Sequence, residues 1–329
     1  MRQIAFTAKE RAEVVEVPDL KESLKPQEVR GRTVISLTSP GTELNGGFLQ
    51  EKFPIYPGYA CVFSVAETGS EVTDLPVGTL VFDSGNHKEW QVSSRKGVIP
   101  VPAGLSAERA VFARLMGVSM STLNTTTARP PSRVLVTGLG PVGNLAAQIF
   151  AACGYVVTAV DPVENRRKIA LEAGLEDVRA SVAEGPVDIK GKVALHVECS
   201  GHERAVLDGC NCVAKRGEVV LLGVPWQRRT DMHAFDILHA VFHRYLVLRS
   251  GWEWEVPIQP TDFRGNSCIL ENYAAAMDWI ASGRIKVDNL ATLYSPAEAQ
   301  KVYSGLLNQS LPTLAALFDW RMAPPAHQN

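Results

Sequence analysis

From Arg133 onward the chain alternates short apolar strands with amphipathic helices, and that alternation leaves few folds open. RVLVTG leads into a helix through NLAAQIFAACG, then VVTAVD and ENRRKIALEAG. VALHVECSG, a helix through ERAVLDGCNCVAK, EVVLLG, a helix through FDILHAVFHRYL and LVLRSG complete the run. Strands separated by helices of this length pair in parallel and are covered on both faces, which is the doubly wound α/β arrangement. At its start, VLVTGLGPVG sets Gly138, Gly140 and Gly143 directly after an apolar strand and at the opening of a helix. The first glycine permits a tight turn, the second lets a pyrophosphate approach the backbone, and the third allows close helix–strand packing. Gly140, Pro141, Val142 and Gly143 form the helix N-terminus, where free N–H groups and the helix dipole favour phosphate.

The second strand ends in Asp161, about 20 residues beyond the glycines, where a carboxylate accepts hydrogen bonds from ribose hydroxyls and repels a 2′-phosphate. The expected cofactor is therefore NAD in preference to NADP, with Arg166 as the nearby guanidinium able to accommodate the extra phosphate. Ligands of such sheets lie at the carboxyl ends of the strands. That adds Cys199, Ser200 and Gly201, Leu222, Gly223 and Val224, and Ser250 as cofactor-contact candidates. Each glycine among them serves equally well as a plain turn residue.

The first hundred residues read differently, as short strands (IAFTA, AEVVEV, EVRGRTVISLT, CVFSVAETG, GTLVFD, EWQVSS) punctuated by Gly and Pro. A helical spacing follows from Ser106, a plausible N-cap, to about Thr126. After Pro257, NYAAAMDWIASGRIKV and PAEAQKVYSGLL read as helices, TLAALFDW as a closing strand and MAPPAHQN as a frayed tail. At 329 residues two domains are expected. The 33 basic and 35 acidic residues are scattered along the chain, which argues against nucleic-acid or membrane-surface partners. With no signal-like start and no run of about 18 apolar residues, a cytoplasmic location is expected. The six cysteines lie in predicted strands and helices, without a disulfide framework.

PGTEL near residue 40, FPIYPGYACVFSVAETGSEV, VGTLVFDSGNHKEWQVSS, GLGPVG, HVECSG, RGEVVLLGVPW, IASGRIKVDNL and PAEAQKVY follow one another along nearly the whole chain. In that order they resemble the medium-chain dehydrogenase/reductase superfamily, of the zinc-type alcohol dehydrogenase-like kind. The resemblance implies a GroES-like β-rich catalytic domain from residues 1–117 and 257–329, with a Rossmann dinucleotide-binding domain at 118–256. It also implies a small-molecule substrate, and a homodimer paired through the last nucleotide-domain strand near Leu246 to Ser250.

Where zinc-dependent relatives carry their ligands, this sequence has Pro40 in PGTE, then Gly58, Tyr59 and Ala60, then Ala113, Arg114 and Leu115. Zinc needs about four converging thiolate, imidazole or carboxylate ligands, and these places supply none. The four-cysteine lobe of many relatives is missing as well. The expectation is a chain without zinc, closest to the branch resembling bacteriochlorophyllide hydroxyethyl dehydrogenase and sugar or secondary-alcohol dehydrogenases.

Without a metal, a side chain must take or relay the hydroxyl proton of an alcohol. Tyr59 stands at the place of the family's zinc-binding histidine, although a tyrosine after Pro-Gly also simply packs its ring. Thr42 and Glu43 fall on the segment that borders nicotinamide and substrate in the family. They are a proton relay and a proton acceptor, or turn residues. His87, in GNHKEW, has a suitable ordinary pKa, or is a loop histidine. His239 and His243 share a helix face but lack the glutamate of H-E-x-x-H, and read as a polar stripe. Trp252 and Trp254 read as core or interface aromatics, or as a wall for a ring-bearing substrate.

Three functions remain open. The first is a zinc-independent NAD-dependent enzyme interconverting a secondary alcohol and a ketone on a sugar, polyol or ring-bearing metabolite. The second is a zinc-free enoyl or quinone reductase using NADPH, and the third a nucleotide-binding protein without turnover.

Overall fold

The structure, a computed structural model, describes residues 1–18, 23–185, 187–262 and 268–322. The tail expected to fray lies, beyond Met322, outside the described residues. Two compact units emerge. One comprises Met1–Arg114, Tyr273–Ala281 and Val287–Asn329, and the other Leu115–Asn272 and Ser282–Lys286.

The second unit is a six-stranded, all-parallel sheet. Its strands, from one edge to the other, are Asp177–Arg179, Val156–Val160, Arg133–Thr137, Val193–Glu198, Val213–Leu221 and Val247–Ser250. Numbered along the chain this is the order 3-2-1-4-5-6 of a Rossmann fold, with the reversal between the strands that end at Thr137 and Glu198. Its apolar runs are buried because helices cover the sheet. Val134, Val136, Val197 and Val220 pack with Ala146, Ala147 and Phe150 of the helix Pro141–Ala152. The short strand Asp177–Arg179 carries no apolar alternation that would have announced it.

The first unit is β-rich. Arg2–Ala8 and Arg11–Glu16 form a hairpin, and a seven-stranded sheet is built on the long strand Glu28–Leu37. That strand alternates buried Val29, Thr33 and Ile35 with more exposed neighbours, the period-2 pattern of a half-buried strand. The closing strand Ala315–Asp319 pairs with it antiparallel, so the chain end completes the sheet begun by the chain start. Ala291–Tyr294 adds in parallel to Ala315–Asp319 and was not anticipated from sequence.

The helix expected from Ser106 to Thr126 is two pieces, Ala107–Ala110 and Ala113–Thr125. Val111 and Phe112 between them are both buried, so the chain bends where the apolar residues span too wide an arc for one straight helix. Ser106 holds the N-cap position without a side-chain cap bond. The helix expected over NYAAAMDWIASGRIKV runs Ile269–Ala281 and stops before Gly283, whose φ of 73° is left-handed. Among the described residues no helix is long and apolar enough to cross a membrane.

Candidate active site

In the parallel-sheet unit the glycines act by removing side chains. Gly138 has φ 83°, and a Cβ there would lie 2.7 Å from the Ser200 backbone nitrogen. A Cβ on Gly143 would lie 1.7 Å from the Gly138 carbonyl oxygen. Gly201, at φ 65°, leaves only 2.4 Å between its would-be Cβ and the Val224 carbonyl oxygen, and Gly223 crowds Gly201 in the same way. The turns at 138–143, 199–201 and 222–224 therefore press together at the carboxyl ends of three strands. Gly140 is the exception, with nothing within 4 Å of its would-be Cβ. It opens the helix Pro141–Ala152 as an N-cap without a side-chain cap, which leaves open space beside uncapped first-turn N–H groups. This is the cradle that a pyrophosphate fits.

Asp161 is 1% exposed. Its Oδ2 accepts from the Leu139 N–H at 2.7 Å and from the Arg166 guanidinium at 3.3 Å, and Oδ1 accepts from the Val163 N–H at 2.8 Å. Two carboxylate oxygens offer about four lone-pair sites, so a place remains for a ribose hydroxyl. Glu198, buried between the central strands, is held by the Ser200 and Gly201 N–H groups, and burial pushes its carboxyl up. The Cys199 thiol is pushed well up by burial and by Glu198. Ser250 ends the edge strand, exposed, with its hydroxyl accepting from the Trp252 N–H at 3.1 Å.

In the β-rich unit, side chains from distant segments converge. Ser39 caps the turn Pro40–Glu43, and Glu43 reaches back so that its Oε1 accepts the Ser39 N–H at 2.7 Å, a variant of the capping box. Its Oε2 accepts from the Tyr303 hydroxyl at 2.5 Å and faces His87 Nε2 at 3.1 Å. His87 Nδ1 lies 2.8 Å from Ser36 Oγ, which also accepts from Trp320 Nε1 at 2.9 Å. The Nε2–H tautomer satisfies every member, with Ser36 donating to Nδ1 and His87 donating to Glu43. Glu43 is 4% and His87 0% exposed. Two residues anticipated separately as proton acceptors are thus partners in one sealed network. Gly58, at φ 99°, carries no Cβ because one would lie 2.5 Å from the His87 nitrogen.

Tyr59 lies beside that network, half-buried, with its hydroxyl donating to Ser39 Oγ and the exposed Thr42 close enough to pull its phenol down. The Arg114 guanidinium, on a residue 6% exposed, sits 4.4 Å from the centroid of the Tyr59 ring and 5.6 Å from that of Tyr273. Burial pushes the Tyr59 phenol up. The Arg114 cation and the Ser39 and Thr42 hydroxyls pull it down, and the Glu43 charge adds to the rise. Sequence reasoning treated Arg114 only as a non-ligand. Its signal was a charge at the head of the otherwise apolar run ARLMGVSM.

The side chains where the resemblance puts zinc ligands, Pro40, then Gly58 to Ala60 with Tyr59, then Ala113 to Leu115 with Arg114, do not suit zinc, since a guanidinium is a cation and proline, glycine, alanine and leucine offer no side-chain ligand atom. Among the described residues no cluster of three or more His, Cys, Asp or Glu side chains could hold a metal. The His239 and His243 rings lie 4.3 Å apart, tilted by 49°, beside Phe235 along the helix Ala234–Arg244.

The family described as Zinc-binding dehydrogenase matches residues 141–253. An alcohol dehydrogenase of Geobacillus stearothermophilus is 24% identical over 249 residues, 63% of this chain and 74% of that protein. Among solved structures, galactitol-1-phosphate dehydrogenase from Escherichia coli superposes with a TM-score of 0.79 at 18% identity, over 97% of this chain and 100% of that one. Acetophenone reductase from Geotrichum candidum, in complex with NAD, gives 0.76 at 18% identity, over 97% and 96%. At such identities the structural likeness speaks for the fold.

Proposed function

We propose that this chain, which belongs to the medium-chain dehydrogenase/reductase superfamily and is an NAD(P)-dependent oxidoreductase of the alcohol and polyol dehydrogenase type, interconverts a secondary alcohol and a ketone without zinc. The observation that carries this reading is Tyr59, an ionisable hydroxyl at the place the resemblance gives to a zinc-binding histidine, bonded to Ser39 and with Thr42 beside it. The domains divide as 1–117 with 257–329 for the substrate and 118–256 for the nucleotide. The substrate is a hydroxylated small molecule such as a sugar, polyol or ring-bearing metabolite.

The dinucleotide, when bound, supplies or accepts the hydride. Gly138, Gly140, Pro141, Val142 and Gly143 hold its phosphates. Cys199, Ser200, Gly201, Leu222, Gly223, Val224 and Ser250 contact the rest of it. Asp161 favours NAD over NADP, and Arg166, already engaged by Asp161, is less available for a 2′-phosphate. In the reductive direction Tyr59 gives its proton to the carbonyl oxygen, and the exposed Thr42 hydroxyl relays a replacement from solvent. Because burial raises the Tyr59 phenol, it is protonated at neutral pH and suited to donate. Glu43 and His87 serve from behind, fixing the turn that carries Ser39 and Thr42. The chain acts as a dimer paired through the exposed edge strand Val247–Ser250.

The experiment is absorbance at 340 nm with chelator-treated protein. NAD and NADP are compared across sugars, polyols and secondary alcohols, and reduced cofactors are offered with ketones and enones. Turnover of a ketone–alcohol pair with NAD(H) supports the reading. Turnover restricted to enones with NADPH, or tight cofactor binding without turnover, overturns it.

A further inference from the structure

Arg114 is a permanent cation that the fold has taken almost wholly out of water and set against two aromatic rings. Its guanidinium carbon is 4.4 Å from the Tyr59 centroid and 5.6 Å from the Tyr273 centroid, with the residue 6% exposed. A guanidinium tolerates this better than an ammonium, because it is planar, weakly hydrated and stacks on ring faces. Tyr273 is itself 2% exposed and packed edge-on against Phe82 at 5.2 Å, so the far side of the cation is fixed too. The near side is the phenol whose hydroxyl meets Ser39 and Thr42.

We propose that Arg114 is a positioning residue for the proton chemistry, the fixed cation that steadies negative charge on the Tyr59 oxygen whenever that phenol has given up its proton. The inference rests on the reading of Tyr59 as the proton-exchanging group, and it gives a physical account of an arginine in the region, Ala113 to Leu115, where the resemblance puts a ligand in zinc-dependent relatives. The cation supplies positive charge to the site through the phenol, with no contact to substrate required. Ketone reduction leaves Tyr59 as a phenolate until a proton returns through Thr42. A phenolate in this half-buried place, with the Glu43 carboxylate among its neighbours, needs a compensating charge. Arg114 and Glu43 are the charged groups acting on the Tyr59 hydroxyl, with the Ser39 and Thr42 hydroxyls beside it. Arg114 belongs to the helix Ala113–Thr125, Glu43 to the turn Pro40–Glu43 and Tyr273 to the helix Ile269–Ala281.

The test is the titration of Tyr59 itself. Fluorotyrosine at position 59 has a more acidic phenol, which titrates within the range where the protein stays folded, and its ¹⁹F shift reports the midpoint without turnover. In Arg114→Met the midpoint is expected to rise by about one unit or more, the size of effect an adjacent opposite charge has. In Arg114→Lys, which keeps the charge and loses the planar stack, it stays nearer the parent. Oxidation of the alcohol by Arg114→Met at fixed neutral pH then falls about tenfold for each unit of rise, and Arg114→Lys recovers most of it. An unmoved midpoint in folded Arg114→Met overturns the proposal. If the methionine variant does not fold, Arg114→Gln, which also removes the charge but keeps a planar polar group, decides in its place, with a rise of about a unit in favour and an unmoved midpoint against. A shifted midpoint in a protein that turns over no alcohol removes the dehydrogenase reading and leaves only the charge coupling of Arg114 to the Tyr59 phenol, without its role in proton chemistry. Turnover with an unmoved midpoint removes this inference and leaves the dehydrogenase reading.

Discussion

Gly138, Gly140 and Gly143 lie in one short stretch of chain and act through their backbone. Glu43, Tyr59, His87, Arg114 and Tyr303 come from five separate segments of the other unit and act through their side chains. The first kind of site has no room for an added atom at Gly138 or Gly143, keeps its space at Gly140 for a ligand, and asks nothing else of these residues. The second depends on each side chain keeping the next one's hydrogen bond or charge in place. The two should therefore break in different ways, by steric intrusion in one and by an abandoned partner in the other.

Removing one partner from the buried network has the largest expected effect on stability. Glu43→Ala leaves the Tyr303 hydroxyl, the His87 Nε2–H and the Ser39 N–H without their acceptor. It should cost about 3–5 kcal/mol in urea unfolding, as the loss of one member of a buried charged network does. A loss below about 1 kcal/mol would mean that the network does not hold the turn. Next, Gly143→Ala drives a methyl group into the Gly138 carbonyl and should cost about 3 kcal/mol while weakening NADH binding at least about 100-fold, read by nucleotide fluorescence.

A third effect separates the units by pH. His196, on the central strand Val193–Glu198, is fully buried with Gly209 against its ring, and burial pushes it down to about 3. The unfolded chain takes up a proton below about 6.5 that the folded chain refuses until about 3, so stability falls as pH drops through that window. Between pH 6.5 and 5 the loss is about 2 kcal/mol, and His196→Gln should flatten it. The smallest expected effect is the sharpest contrast within the glycines. Gly140→Ala, with open space around its Cβ and an ordinary φ of −62°, should keep stability within about 0.5 kcal/mol and still weaken the dinucleotide about tenfold. Equal affinity in Gly140→Ala would remove the pyrophosphate from that cradle.

The same contrast explains what could be read from the chain before its fold was known. The parallel sheet and the glycine turn at Gly138–Gly143 follow from local rules, because the glycine pattern and the strand that feeds it are contiguous, whereas the strand order rests on the edge strand Asp177–Arg179, which carries no sequence signal. Glu43 and His87 were legible as unusual residues. Their mutual contact was not, since nothing in the sequence couples positions 43 and 87, or position 43 to Tyr303, 260 residues away. Arg114 was legible only as the absence of a ligand, because nothing in the sequence couples position 114 to the ring at position 59. The bend at Val111–Phe112 was missed because periodicity marks which residues are buried, not where a helix axis turns.

The central claim, that a phenol in place of a metal moves the proton, is tested most directly by kcat/KM for the alcohol–ketone pair in Tyr59→Phe and the parent, both stripped of metal and assayed again with added zinc. The account predicts a loss of about 100-fold to 10,000-fold in Tyr59→Phe, with NADH affinity unchanged and no gain from zinc in either protein. Near-parental turnover in Tyr59→Phe, or activity in the parent that zinc restores, would contradict it.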